Sequence, residues 1–244
     1  MSKQHVHIEQ LDRVAVVRLD RPPANALDLS FTRDLEAALG EVEAGDAASI
    51  VLTGSGDFFS AGLDLKVVPG YSPEHQRDMI VALGRLVGRL YGNPRPTVAA
   101  VNGHGIAAGT LLALACDYRI GPLGDYRFGL TGARVGIPYP VAAQAVIHAE
   151  LDPAARRVLL LGAALLSPDE AAARGILDEL HPPERVLERA IEVARERAEL
   201  PADTYAKIKG QLRAAALRRI REANDGGNDP LLVSWITADS ANSP

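Results

Sequence analysis

Apolar residues recur along this chain in two rhythms. Short β-branched or apolar runs, VHIEQ, RVAVVRL, SIVLTG, TVAAV, YRIG and YRFGL, read as strands, the second of them following a turn at Asp12-Arg13. Between them the period lengthens. Phe31, Leu35, Ala38, Leu39 and Val42 recur at helical spacing after a Pro22-Pro23 turn, with Ser30 placed as the N-cap. SGDFFSAGLDLK reads as a loop, and a long helix follows over residues 73–91 until NPRP breaks it. The helix after Ala108 is short, and four more are expected over residues 141–150, 153–161, 168–174 and 183–200. A last helix over 203–223 aligns Tyr205, Ile208, Leu212, Ala216 and Ile220 on one face. NDGGND is a loop, and PLLVSWITADSANSP carries no clear period.

Strands dominate the first half and helices the second, without internal repeat or low-complexity linker. Strands separated by helices imply right-handed crossovers and a layered α/β core. A chain of 244 residues, 47% hydrophobic and 23% charged, can bury such a core. The net charge of −5 gives no argument for nucleic acid or an anionic membrane as partner. The single cysteine, Cys116, excludes an internal disulfide and a cysteine-rich metal site, and its apolar surroundings read as packing. The start MSKQHVHIEQ has no apolar leader and no 18-residue apolar run follows, so a cytoplasmic protein is expected.

Two glycine-bearing turns concentrate the chemistry. In VNGHGIAAGTLLALACD, Gly103, Gly105 and Ala108 fit the G-x-G-x-x-G/A pattern of a dinucleotide-binding turn, and Asp125 lies 22 residues after Gly103. The helix has little room before Asp117, however, and Asp125 falls in another turn. Close packing of small residues is a second reading. A third takes FFSAGLDLK into account: two such turns can aim two backbone N–H groups at one developing oxyanion, where a Cβ would obstruct the approach. The chain has no H-E-x-x-H, G-x-S-x-G, P-loop or paired-cysteine motif.

Five segments, in this order, resemble the enoyl-CoA hydratase/isomerase (crotonase) family: RPPANALDLSFTRDLEAAL, FFSAGLDLK, AAVNGHGIAAGTLLALACDYRI, YRFGLTGARVGIP and LLSPDEAAARGILDEL. YAKIKGQLR further resembles the family's C-terminal helix with a CoA-contacting lysine. The resemblance implies a spiral of ββα units over residues 1–190, and C-terminal oligomerisation helices over 191–244 that assemble a homotrimer or a hexamer. It implies an acyl-CoA substrate, no separate cofactor and no metal. The oxyanion donors would be the N–H groups of Leu63 and Ala108. Ala24, Ala61, Leu63, Asp64, Leu65 and Lys66 would lie along CoA, with Lys66 and Lys209 at phosphates and Asp64 steadying its turn. Lys209 would sit on a basic face with Lys207, Arg213, Arg218 and Arg221.

The departure from the family is as informative. Its two catalytic glutamates correspond here to Leu111 and Gly132. No Asp or Glu stands between Met79 and Cys116, or between Tyr126 and Ala149, so no small shift restores either. A positioned acid or base contributes roughly 10²–10⁴ in rate and an oxyanion donor about 10²–10³. Enolate stabilisation would therefore survive while two-glutamate hydration would not. His104 and Tyr139 are the candidate replacement proton carriers; Arg134 could pair a substrate carboxylate, and Thr110 or Thr131 could position a water. Three functions follow: an acyl-CoA enzyme of altered chemistry such as decarboxylation or hydrolysis, a catalytically reduced acyl-CoA-binding subunit, or an NAD-dependent oxidoreductase. The pocket wall is expected to draw on the helix over 79–91 and on the C-terminal tail.

Overall fold

The computed structural model describes residues 5–233 and residue 235. Its elements run β1 (Val6–Leu11), β2 (Val14–Leu19), α1 (Leu29–Ala44), β3 (Ser49–Gly54), β4 (Phe58–Ser60), α2 (Pro73–Tyr91), β5 (Thr97–Ala100), β6 (His104–Ile106) and α3 (Ala108–Leu114). They continue with β7 (Tyr118–Pro122), β8 (Phe128–Gly129), α4 (Val141–Glu150), α5 (Pro153–Arg156), α6 (Pro168–Ala173), β9 (Glu179–His181), α7 (Val186–Ala198), α8 (Ala202–Leu212) and α9 (Ala214–Gly226).

Six strands form one sheet in the order β1-β2-β3-β5-β7-β9, and β4-β6-β8 form a second. Only β1 and β2 pair antiparallel; the remaining pairs are parallel. Each circuit of the chain therefore lays one strand in the large sheet, one in the small sheet, and then a helix: β3-β4-α2, β5-β6-α3 and β7-β8-α4. This is the spiral of ββα units implied by the resemblance. The large sheet is covered on both faces, which explains its nearly continuous apolar runs. Ala15, Val17 and Leu19 of β2 enter the main core with α1 and α2, while Val14 and Val16 meet Val186, Ala190 and Val193 of α7.

Most elements lie where the periodicity puts them; β9 is a strand the periodicity does not mark, and four further differences stand out. Asp28, not Ser30, caps α1, because its side chain accepts the Phe31 N–H at 2.8 Å. The supposed loop at 55–66 and the supposed turn at 103–106 each contain a strand, too short to show a period, that the small sheet completes. Helix α7 crosses the expected boundary at 190 and packs on the main sheet, so the core does not end there.

The fourth difference concerns the last helix, which breaks at Arg213 into α8 and α9. Ala216 and Ile220 are buried as expected, but Ile208 and Leu212 are 59% and 81% exposed. In their place α8 turns Lys209 inward, to 7% exposure, with Arg213 beside it at 5%. Asp117, just beyond α3, explains the exchange: its carboxylate stands 2.8 Å from the Lys209 ammonium and 2.9 Å from the Arg213 guanidinium. Tyr205 donates to the same carboxylate. An ion cluster, not an apolar stripe, docks this helix. Among the described residues, no helix is long and apolar enough to cross a membrane.

Candidate active site

The segment before α1 builds the first turn. Asn25, in the left-handed region at φ 49°, is buried and donates its side-chain amide to the Phe58 and Ser55 carbonyls at 2.8 and 3.1 Å. Ser60 Oγ donates to the Asn25 carbonyl, and the Ala61 N–H to that of Ala24. Leu27 N–H donates to the Gly62 carbonyl and Asp64 N–H to the Leu27 carbonyl, clamping Leu63 between them. Arg21 then ties the turn to α1, with ion pairs of 2.9 Å to both Asp28 and Asp64. Asp64 also accepts the Lys66 N–H, so it serves the turn.

The second turn joins β6 to α3 at Ala107, which adopts φ 51°, a strained setting for a residue with a Cβ. Ala107 N–H is held by the Gly129 carbonyl at 2.7 Å. Thr110 donates its hydroxyl to the Gly105 carbonyl and accepts the Gly129 N–H, so it fastens β6 to β8 and has no free hydroxyl for a water.

The two turns touch. At Gly62, φ 85°, a Cβ would lie 3.0 Å from the Ala108 nitrogen and 2.8 Å from the Ala107 Cβ; at Gly109 it would collide with the Ser60 carbonyl. Glycine at both positions is what lets the backbones meet. Leu63 and Ala108 consequently line one cavity of about 150 Å³. Neither of their N–H groups has a partner among the described residues, an uncommon state for a backbone donor.

The cavity wall is almost wholly apolar. Ala61 and Leu65 contribute from the first turn, Leu83 from α2, Leu111 from α3 and Trp235 from the tail. Leu111, 1% exposed, and Gly132, the two positions where the resemblance implies glutamates, both border it and supply no carboxylate. Thr131 and Tyr139 carry its side-chain hydroxyls. The Thr131 hydroxyl makes no hydrogen bond among the described residues, whereas Tyr139 Oη accepts the Gly132 N–H at 2.8 Å. Burial pushes the Tyr139 phenol up to about 12, against the opposing pull of that N–H, so it is neutral at physiological pH.

Several expected residues lie elsewhere. The His104 ring sits between Phe58 and Tyr126, accepts the Arg127 N–H at Nδ1 and is absent from the cavity wall, which makes it a packing residue. Arg134 donates to the Ala163 carbonyl and is likewise off the wall. Lys209 is spent on Asp117 and the Arg95 carbonyl, so its buried ammonium is not available to a phosphate. Lys66 is exposed and Ala24 half-buried. Burial pushes the Cys116 thiol up to about 12, which leaves it inert.

Trp235 was not among the expected site residues. It is 2% exposed and donates Nε1–H to the Pro138 carbonyl at 2.8 Å. Asp229 holds the tail in place by accepting the Val141 N–H at the start of α4, and Arg77 donates to the Leu232 carbonyl. The available signal was composition: this is the chain's one tryptophan, set next to the apolar run Leu231-Leu232-Val233.

Comparison with known proteins gives this geometry a lineage. The model of the enoyl-CoA hydratase/isomerase family matches residues 9–240. Human mitochondrial enoyl-CoA delta isomerase 1 is 34% identical over 93% of this chain and 76% of its own length. A putative enoyl-CoA hydratase of Thermus thermophilus is 38% identical over 75% of this chain and 74% of its own length. Among solved structures, human mitochondrial delta3-delta2-enoyl-CoA isomerase superposes with a TM-score of 0.89 at 33% identity, covering 98% of this chain and 94% of that one. The spiral of ββα units, the abutting turns and these matches agree, and this chain belongs to the enoyl-CoA hydratase/isomerase family.

Proposed function

We propose that the protein binds an acyl-CoA thioester, with its carbonyl oxygen between the Leu63 and Ala108 N–H groups, and stabilises the enolate. The observation that carries this reading is the pair of unpartnered N–H groups on one cavity. Donors fixed by the fold in an apolar site act strongly on developing charge, because no solvent must reorganise. Ala24, Ala61, Leu65 and the backbone around Asp64 lie along CoA in this reading, and exposed Lys66 is the cation that meets a phosphate. The exposed Ile208 and Leu212 of α8 support contact between subunits, as a homotrimer or hexamer whose mass light scattering would report.

With Leu111 and Gly132 in place of carboxylates, the favoured reactions are those in which substrate or water handles the proton. Loss of CO₂ from an α-carboxyacyl thioester is one: the Cα–carboxylate bond breaks, its electron pair enters the enolate, and Cα is then protonated. Thioester hydrolysis is another. The decisive measurement is hydration of crotonyl-CoA by the purified protein. It is expected at least about 10²-fold below relatives that carry both glutamates, the contribution of a positioned acid or base. Hydration at ordinary family rates would overturn the altered chemistry.

A catalytically reduced acyl-CoA-binding subunit is favoured by the same uncharged wall. It requires saturable binding without turnover across an acyl-CoA panel. The dinucleotide reading finds less support, since Gly105 lies inside β6, α3 has seven residues, and Asp125 pairs with Arg127.

A further inference from the structure

Position 132 is more than a lost glutamate. A Cβ built on Gly132 would lie 2.8 Å from Cε2 and Cζ of Tyr139, and would also collide with the Ile137 carbonyl. The phenol ring therefore fills the space that a side chain at 132 would enter. Its oxygen is 2.8 Å from the Gly132 nitrogen, and the ring lines the same cavity as Leu63 and Ala108.

We propose that Tyr139 substitutes for the missing side chain at 132 and delivers the proton to Cα of the thioester enolate. The inference rests on the enolate reading above. The phenol oxygen already accepts the Gly132 N–H, and no described residue accepts its proton, which is left to face a substrate. Held neutral by burial, the group carries that proton throughout the physiological range.

The step balances. The enolate double bond supplies the electron pair for the new Cα–H bond, the thioester carbonyl re-forms, and the phenol O–H bond breaks. The Gly132 N–H remains on the resulting phenolate and stabilises its charge. Water then restores the proton. Tyr139 also borders an open depression on the outer side, shared with Gln144 and His148, which gives solvent a route to the ring. Thr131 is a poorer donor, because an aliphatic alkoxide is far more basic than a phenolate, and His104 is off the wall.

The test follows deuterium entry at Cα of butyryl-CoA in D₂O by NMR, alongside butyryl-CoA affinity. By microscopic reversibility the group that protonates the enolate also exchanges the α-proton. Tyr139→Phe keeps the ring over Gly132 and is expected to bind butyryl-CoA within about twofold of wild type, yet to exchange about 10²-fold more slowly or worse. Tyr139→His, which restores a ring bearing a transferable proton, should exceed Tyr139→Phe by about tenfold. Wild-type exchange with an unchanged rate in Tyr139→Phe would overturn the role of Tyr139 and leave the enolate reading standing. Binding of butyryl-CoA without any wild-type exchange would overturn both.

Discussion

The two ends of α3 present two differently built interiors. At Ala108 the helix opens on a cavity with bare backbone donors and no ionised side chain on its described wall. Just past its other end, Asp117 lies among Lys209 and Arg213, and the network extends through Glu150 to Arg119 and Asp178. Three cations there meet three carboxylates, with Tyr91 and Tyr205 donating phenols to Glu150 and Asp117. The chain has thus placed its buried charge in the scaffold and left the cavity to dipoles. A buried ion cluster fixes which faces meet, since a misplaced partner leaves a charge bare. A cavity without carboxylates can bind and polarise a carbonyl but must find its proton in a neutral group or in water.

The comparison can be broken first at the scaffold. Asp117→Ala would strand the Lys209 and Arg213 charges in the interior, an expected loss of about 3–5 kcal/mol in urea unfolding. A loss below about 1 kcal/mol would mean that α8 and α9 are held by something else. At the cavity, Gly62→Ala forces a side chain into the left-handed region at φ 85° and against the Ala108 nitrogen. Stability should fall by about 1–3 kcal/mol. Exchange of the butyryl-CoA α-proton should fall by about 10², the equivalent of one misplaced donor; full activity would dissociate the two turns from the chemistry.

The smallest effect lies at the edge of the sheet. Hydrogen bonds from Arg189, against some burial, and then from His181 and Tyr118 hold the Glu179 carboxyl down to about 2. A carboxyl lowered in the folded state contributes stability above its ordinary range near 4.3, and that contribution is lost as pH falls toward 2. Between about pH 5 and 2 the wild type should therefore lose about 1 kcal/mol more than Glu179→Gln, after solvent screening. Identical acid profiles would remove Glu179 from the stabilising set.

The sequence by itself determined five of the six strands of the large sheet, all but β9, and the ends of α2 and α4. Those features rest on local period, caps and turn chemistry, which neighbouring residues write directly. The resemblance across five segments singled out Leu111 and Gly132, and both border the cavity. Only the tertiary structure decided the rest. Strands of three residues such as β4 and β6 exist because a partner completes them. The inward turn of Lys209 needed a carboxylate 92 residues away. Trp235 became a wall only when a carbonyl 97 residues earlier accepted its N–H. For Tyr139, which the sequence offered as a proton carrier beside His104, only the fold separated the two by laying its ring over the bare Cα of Gly132. Periodicity reports which face of an element is apolar; it carries no record of which distant charge, ring or carbonyl that face will meet, and those long-range meetings made the site.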